Sequence, residues 1–434
     1  MNVSMIASLT LAVACATSAA AAPMFRGDAA HSGVSTGKAP HAFHRVKWQF
    51  PTGARIVSSP VMQDGVVWFG SDDGNIYAVD AGTGRQLWAH QTGGPVAATP
   101  AIANGLLYVG SGDGKFYALN AKTGATKWKF ATAGERHFEA PGIHGLQPKA
   151  QMIPDSYDVY GSSPVVAGGS VFFGSGDHNI YALDAVSGEL RWKFATGDVV
   201  HASPALADGV VYAGSWDSYF YAIDAASGKE KWRFHGGEDA LVHNQVGFQS
   251  SPAIADGIVY TGCRDSNLYA IDAATGKEKW HVNNNGSWVI SSPAVVNGNV
   301  YFATSDSSLY QVVDALTGKP VLQQVDKSFI FSSPVVAGDI VLLGITNGSL
   351  QARDRTSGNV LWEFQTEGSK QNPGWVLTAD RHLNNSLLFR TRSYEATVVA
   401  ATRLQGVGAI FSTPLVGDGV VYVGSTDGNL YAIE

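Results

Sequence analysis

The sequence predicts an all-β fold, an eight-bladed β-propeller of four-stranded blades closed into a ring by an N-terminal strand around Trp48. Three observations predict it. First, one pattern recurs with a period of about 40 residues. It starts at a Ser/Thr-Pro pair, and eight such prolines are present: Pro60, Pro100, Pro164, Pro204, Pro252, Pro293, Pro334 and Pro414. Second, the 434 residues include 50 Gly, 19 Phe, 16 Tyr and 11 Trp, yet only 15% are charged. An average domain carries about 25% charged residues. Glycine and aromatics with few charges suit short strands and tight turns rather than helix bundles or disorder. Third, the last repeat stops at Tyr431-Ala432-Ile433-Glu434, before its tryptophan strand. The missing piece stands at the other end, as Val46-Lys47-Trp48-Gln49-Phe50. Twelve residues separate Trp48 from Pro60, the spacing that also separates Trp88 from Pro100 and Trp192 from Pro204.

Each repeat reads as four strands. The first copy runs Ser59-Pro60, Asp64-Gly65, Val66-Val67-Trp68-Phe69-Gly70-Ser71, Asp73-Gly74, Ile76-Tyr77-Ala78-Val79-Asp80, Thr83-Gly84 and Trp88. One strand follows the proline, one ends near Gly-Ser, one ends at Asp and one holds the Trp. The closing tryptophans are Trp88, Trp128, Trp192, Trp232, Trp280 and Trp362, with Leu322 in that position between Trp280 and Trp362. Asp73, Asp113, Asp177, Asp217, Asp265, Asp306 and Asp427 fall in the second hairpin turn, and Asn347 takes that place in the seventh repeat. A residue repeated this often is read as a turn former, because Asp hydrogen-bonds its own turn.

Residues 1–21 are expected to be a signal peptide. They hold an apolar stretch from Met5 to Ala14, then small residues to Ala21, and no charged side chain. A lipid anchor at Cys15 is not expected, since Ala12 stands where a lipobox has an aliphatic residue. Residues 22–44 form a lead and 45–434 a single propeller. No later segment has 18 continuous apolar residues, so no membrane span is expected in the mature chain. The mature chain is expected in the periplasm or outside the cell. A formal net charge of -7 argues against a nucleic-acid partner. Two cysteines, Cys15 and Cys263, exclude a disulfide scaffold and a Cys-rich metal centre. Cys263 is expected to be a half-buried filler.

The segments Asp80-Ala81-Gly82-Thr83-Gly84-Arg85-Gln86-Leu87-Trp88, Asp224-Ala225-Ala226-Ser227-Gly228-Lys229-Glu230-Lys231-Trp232 and Asp272-Ala273-Ala274-Thr275-Gly276-Lys277-Glu278-Lys279-Trp280 resemble the tryptophan-docking repeat of pyrroloquinoline-quinone (PQQ) propellers. Met24-Phe25-Arg26-Gly27-Asp28 with His31-Ser32-Gly33 is similar to the N-terminal lead of that family. The resemblance covers about residues 24–434. It implies the propeller, and it leaves two activities open, because the family holds both quinoprotein alcohol dehydrogenases and BamB-type outer-membrane assembly proteins. The dehydrogenases carry an adjacent cysteine pair that this chain lacks. The BamB-type proteins are lipoproteins and lack long insertions. The reading is therefore a non-catalytic binding or assembly platform for a protein or small-molecule partner. The alternative is an atypical PQQ- and calcium-dependent dehydrogenase of an alcohol or sugar.

Insertions mark where a site is expected. The Trp-to-Pro spacing widens to 36 after Trp128, 20 after Trp232 and 52 after Trp362. The inserted segments, about 131–160, 235–249 and 365–411, all lie in the connection between blades, on the face that also carries the second hairpin turns. Loops at one mouth of a rigid ring are where sites are built. Candidate ligand-binding residues from the insertions are His137, Glu139, His144, His243, Asn244, Gln245 and Trp375. Short connections and turns on that face add Arg55, His178, His201, Trp216, Arg264 and Trp288. His137, Glu139, His144 and His243 are candidates for a metal, because imidazole and carboxylate suit a transition ion. A quinone would use Trp216 or Trp288 to stack and Arg55 or Arg264 to hold carboxylates. Calcium would then take Glu139, Asn244 or Asp158. The plain reading for each residue is a polar rim that orders the loops.

Overall fold

The computed structural model describes residues 23–238, 246–371, 374, 376–388, 391, 393–417 and 419–434. The expected signal peptide and Cys15 lie outside the described residues, as do His243, Asn244, Gln245 and Trp375.

Eight antiparallel sheets form the blades, numbered here in chain order. Blade 1 shows the rule: strands Val61–Gln63, Val66–Gly70, Asn75–Asp80 and Gln86–Gln91 pair in that order. The two middle strands are buried along their lengths, as the near-continuous Val, Tyr and Phe runs require. The outer strand alternates, with Trp88 buried and its neighbours Leu87 and Ala89 exposed. In blade 8 the strand Val46–Pro51 pairs antiparallel with Asn429–Ile433, placing Trp48 opposite Ala432. The fold is an all-β eight-bladed propeller.

Two repeated devices lock blade to blade. The indole N–H of Trp48 donates to the Ala81 carbonyl of the next blade at 3.0 Å. Trp88, Trp128, Trp192, Trp232 and Trp280 do the same to Ala121, Ala185, Ala225, Ala273 and Ala315. The ring lies against a turn glycine. A Cβ on Gly84, whose φ is +72°, would sit 2.7 Å from the Trp48 ring, so no other residue fits there. Blade 8 ends before such a turn, and Trp362 donates instead to Pro40 in the lead at 2.7 Å. The second device circles the axis. The backbone N–H of Ser59 donates to Thr99 Oγ1 at 3.1 Å, and Thr99, Ser163, Ser203, Ser251 and Ser292 each donate to the hydroxyl of the next blade. Thr413 donates to Ser59 at 2.8 Å. These are the residues before the eight prolines, which is why the Ser/Thr-Pro pair repeats.

The lead closes one mouth of the axis. Carbonyls of Pro23, Ala29, Ala30, Ser32 and Gly33 accept from the inner strands of blades 2, 4, 5, 6 and 7. Residues Val34–Ser35 add a fifth, parallel strand to blade 7. Arg26 is buried and donates to the carbonyls of Pro334 at 2.7 Å and Pro293 at 2.8 Å. The Asp turns are structural. Asp73 accepts from the Tyr77 hydroxyl at 2.7 Å and from the Gly53 N–H at 2.9 Å. One expectation is corrected here: Cys263 is not half-buried but fully enclosed, and burial pushes its thiol up. It packs with Phe248 and Tyr269 between blades 4 and 5, where the strand-end position leaves no path to water.

Candidate functional site

The first and third insertions fold together into a cap over the other mouth. The first contributes a hairpin of Glu139–Pro141 with Met152–Pro154. The third contributes the helix Tyr394–Gly406, whose Ser393 hydroxyl accepts from the Ala396 N–H and whose first turn carries Glu395. Its buried face, Ala400, Ala401 and Leu404, joins a cluster with Tyr157, Trp288, Phe331 and Phe411. Tyr160 reaches across the axis, its hydroxyl 3.1 Å from the Phe331 carbonyl and 3.3 Å from that of Phe411.

Under the cap lie two polar clusters. In the first, Arg264 is fully buried and lies between two indoles, 4.3 Å from the Trp216 ring and 4.2 Å from the Trp288 ring. It pairs with the buried carboxylate of Asp155, and its Nε donates to Gln249 at 3.0 Å. His144 Nε2 lies 3.1 Å from Asp155, and the Tyr157 N–H donates to the same carboxylate at 2.8 Å. Burial would raise the Asp155 carboxyl, but Arg264 and His144 hold it well below the usual range. Phe138 stacks on Trp216 at 4.5 Å, and Trp216 has 0% exposure.

In the second cluster, His201 stands between two acids. Its Nδ1 is 2.6 Å from Asp158 and its Nε2 3.0 Å from Glu135. Burial alone would depress this imidazole, but the two carboxylates overcome that and push it up to about 10. Both ring nitrogens therefore donate, as an imidazolium requires. Asp158 also accepts from the Phe138 N–H at 2.8 Å. Burial raises this carboxyl, and His201 and His137 outweigh it and hold it down. His137 lies 3.0 Å from the Asp158 carbonyl through Nδ1, and its hydrogen bond to Asp158 raises it.

The second cluster faces a cavity of about 410 Å³, which lies off the axis between blades 1, 2 and 3 and beneath the helix Tyr394–Gly406. Phe116 and Phe173, stacked at 3.9 Å, line its floor. Arg55 lines the rim, pairs with Asp72 at 2.7 Å and donates to Gln405 of the helix. Burial raises the Asp72 carboxyl despite this partner.

The expected site residues thus divide. Trp216, Arg264, Trp288 and His144 meet in the first cluster, and His137, His201 and Arg55 meet at the cavity. Glu139 is exposed on the cap hairpin, and His178 lies 3.9 Å from Asp198 on the rim. The expectation that His137, Glu139 and His144 act together is corrected: His137 pairs with Asp158 and His144 with Asp155. Among the described residues no group of three or more His, Cys, Asp or Glu side chains is arranged to hold a metal. Asp72, Gln249 and Gln405 are not among the candidates; each is a single polar residue, respectively in a hairpin turn, at the end of the second insertion and in a helix, without a spacing that marks it.

The stacking platform expected for a quinone does not fit one in this arrangement. Phe138 and Arg264 each lie within 4.5 Å of the Trp216 ring, which has no exposed surface left for a planar ligand. Of the calcium candidates, Asp158 is engaged by His201 and the Phe138 N–H, and Glu139 is at the surface.

Comparison with known proteins follows the ring. Solved structures of similar fold include BamB from Moraxella catarrhalis, at 16% identity and a TM-score of 0.63, covering 90% of this chain and 97% of that one. The quinohemoprotein alcohol dehydrogenase from Comamonas testosteroni is 16% identical with a TM-score of 0.66, covering 95% and 80%. A europium-containing methanol dehydrogenase is 14% identical with a TM-score of 0.67, covering 95% and 98%. At such identities these show the fold alone. No curated protein matches the chain significantly. The family model described as outer membrane protein assembly factor BamB matches residues 41–155, 144–363 and 264–434, and the chain belongs to that family.

Proposed function

We propose that the chain is an exported, non-catalytic binding platform that takes a protein or small-molecule partner on its capped face. One observation carries the reading. The Trp216 ring on which a planar cofactor would stack is covered by the chain's own Phe138 and Arg264, the latter held by Asp155, leaving Trp216 with 0% exposure. Membership of a family named for an assembly factor supports a protein partner. The uncharged segment Met1–Ala21 supports export. No helix among the described residues is long and apolar enough to cross a membrane.

The alternative, a PQQ- and calcium-dependent dehydrogenase, would require the first insertion to leave Trp216. Purified protein mixed with PQQ and calcium decides between them. The platform reading expects an unchanged quinone spectrum, an unchanged melting temperature and no dye reduction with ethanol or glucose. A calcium-dependent rise in melting temperature together with alcohol-dependent dye reduction would overturn it.

A further inference from the structure

We propose that the off-axis cavity between blades 1–3 and the helix Tyr394–Gly406 binds a neutral, mostly apolar small molecule with one hydrogen-bonding end. The inference rests on the platform reading and names a ligand class for it.

Size comes first. A volume of about 410 Å³ falls within the roughly 300–1,000 Å³ of small-molecule sites. Among the described residues, the axial space inside the hydroxyl ring is only about 30 Å³, room for about one water.

The charge balance then selects the ligand. Every cation on the cavity wall already holds a counter-charge, and the lining carboxylate Asp155 is held by Arg264. Arg55 faces Asp72 at 2.7 Å. His201 is held by Asp158 at 2.6 Å and Glu135 at 3.0 Å. Lys115 faces Asp113 at 3.1 Å. An anion would lose its hydration and find no unpaired cation. A cation would find the carboxylates of Asp158 and Glu135 already hydrogen-bonded by His201, Phe138, Ser175 and Gly176; either is unfavourable by several kcal/mol, roughly. A neutral ligand loses nothing of that kind, and the Phe116–Phe173 stack, Ala97, Val159 and Val398 offer it an apolar wall.

One polar position remains. His137 lines the cavity and engages Asp158 through Nδ1, so Nε2 is the nitrogen left to meet a ligand. It would accept from a ligand N–H or O–H when the ring is neutral and donate to a ligand oxygen when the ring is protonated, the form its bond to Asp158 favours.

The test uses N-phenyl-1-naphthylamine, a neutral aromatic amine whose fluorescence rises in apolar surroundings, titrated into the mature chain. Saturable binding of one molecule per chain is expected. Val398→Trp places an indole in the cavity and should weaken binding by at least about tenfold. Val399→Trp, at an adjacent residue that is 44% exposed, should leave binding unchanged. His137→Ala should weaken it by about threefold to tenfold. The anionic probe 8-anilinonaphthalene-1-sulfonate should bind at least about tenfold more weakly than the neutral one. If Val398→Trp loses its native circular dichroism, Ala97→Leu narrows the cavity from the blade side and must weaken the neutral probe. Absence of saturable binding, equal binding by the Val398 and Val399 variants, or preference for the anion would overturn the proposal. The two readings fail separately: quinone uptake would sink the platform reading, whereas a failed probe titration with no quinone uptake sinks only this inference.

Discussion

The two clusters under the cap use the same materials to opposite ends. Around Arg264, two indoles, Phe138 and Asp155 pack together, and both members of the ion pair have 0% exposed side chains. Around His201, the ion pairs are looser, at 2.6 Å to Asp158 and 3.0 Å to Glu135 with His137 3.6 Å from Asp158, and Glu135 keeps 24% of its side chain exposed and His137 keeps 67%. The first cluster is a lock that joins insertion to ring. The second is the wall of a space. The difference is one of access: the partners of Arg264 are sealed from solvent, whereas Glu135 and His137 still meet it.

The sharpest way to break this contrast is to remove the locking cation. Arg264→Leu leaves Asp155 buried with only His144 and one N–H to hold it. A loss of about 3–5 kcal/mol is expected in chemical denaturation, with Asp155→Leu added to Arg264→Leu recovering most of it. If the single variant is as stable as the parent, the lock is not one. His201→Phe should cost less, about 2–3 kcal/mol, because Glu135 can turn to water while Asp158 cannot. Equal losses at the two positions would erase the distinction between lock and wall.

Acidity separates the clusters without mutation. Burial would lower His201, but Asp158 and Glu135 raise it to about 10, against about 6.5 unfolded. A raised folded value means the folded state holds an extra proton between those limits. Its stabilisation is complete below about pH 6.5 and is lost as pH rises through about 10. Asp155 and Asp158 are held below the ordinary carboxylate value, so their share is present above about pH 4 and is lost as pH falls. Denaturation midpoints should therefore fall on the acid side through both clusters, but between about pH 7 and 8.5, below the range where Cys263 and the raised tyrosines take part, mainly through His201. In His201→Phe the alkaline slope should flatten while the acid slope remains; an unchanged alkaline slope would place the effect elsewhere.

How much of this the sequence discloses depends on whether a feature repeats. The blades, the tryptophan strands and the Asp turns are legible because each occurs many times at one spacing, and Trp88, Gly124 and Ala121 are the same contact as Trp192, Gly228 and Ala225. The insertions are legible as interruptions of that spacing. What they do inside is not, because nothing repeats: that Asp155 turns to Arg264, 109 residues on, and Asp158 to His201 depends on how a unique loop folds across the axis. Arg55 and Arg264 are both arginines on the same face in the sequence, yet one lines a rim and the other is sealed between indoles. The sixth repeat is a departure that has a visible consequence where it meets the seventh. Leu322 stands where a tryptophan closes other blades, and Arg353 occupies a core position nearby, paired with Asp326.

The smallest expected effect tests the tie between the wall and its roof. Arg55 bridges the ring to the helix Tyr394–Gly406 by donating to Gln405, and Gln405 also donates to the Ser156 carbonyl at 3.3 Å. The Arg55 side chain is 40% exposed, so solvent screens its pair with Asp72. Gln405→Ala should therefore change stability by less than about 1 kcal/mol. The consequence should appear in exchange with the cavity instead. A roof tied at fewer points opens more often, so release of the neutral probe should quicken by a few-fold, roughly, while its affinity changes little. The same substitution should leave the Arg264 cluster unaltered, because that cluster takes no contact from Gln405. A stability loss matching that of Arg264→Leu would mean that the roof over the cavity belongs to the lock, and the two regions would then be one.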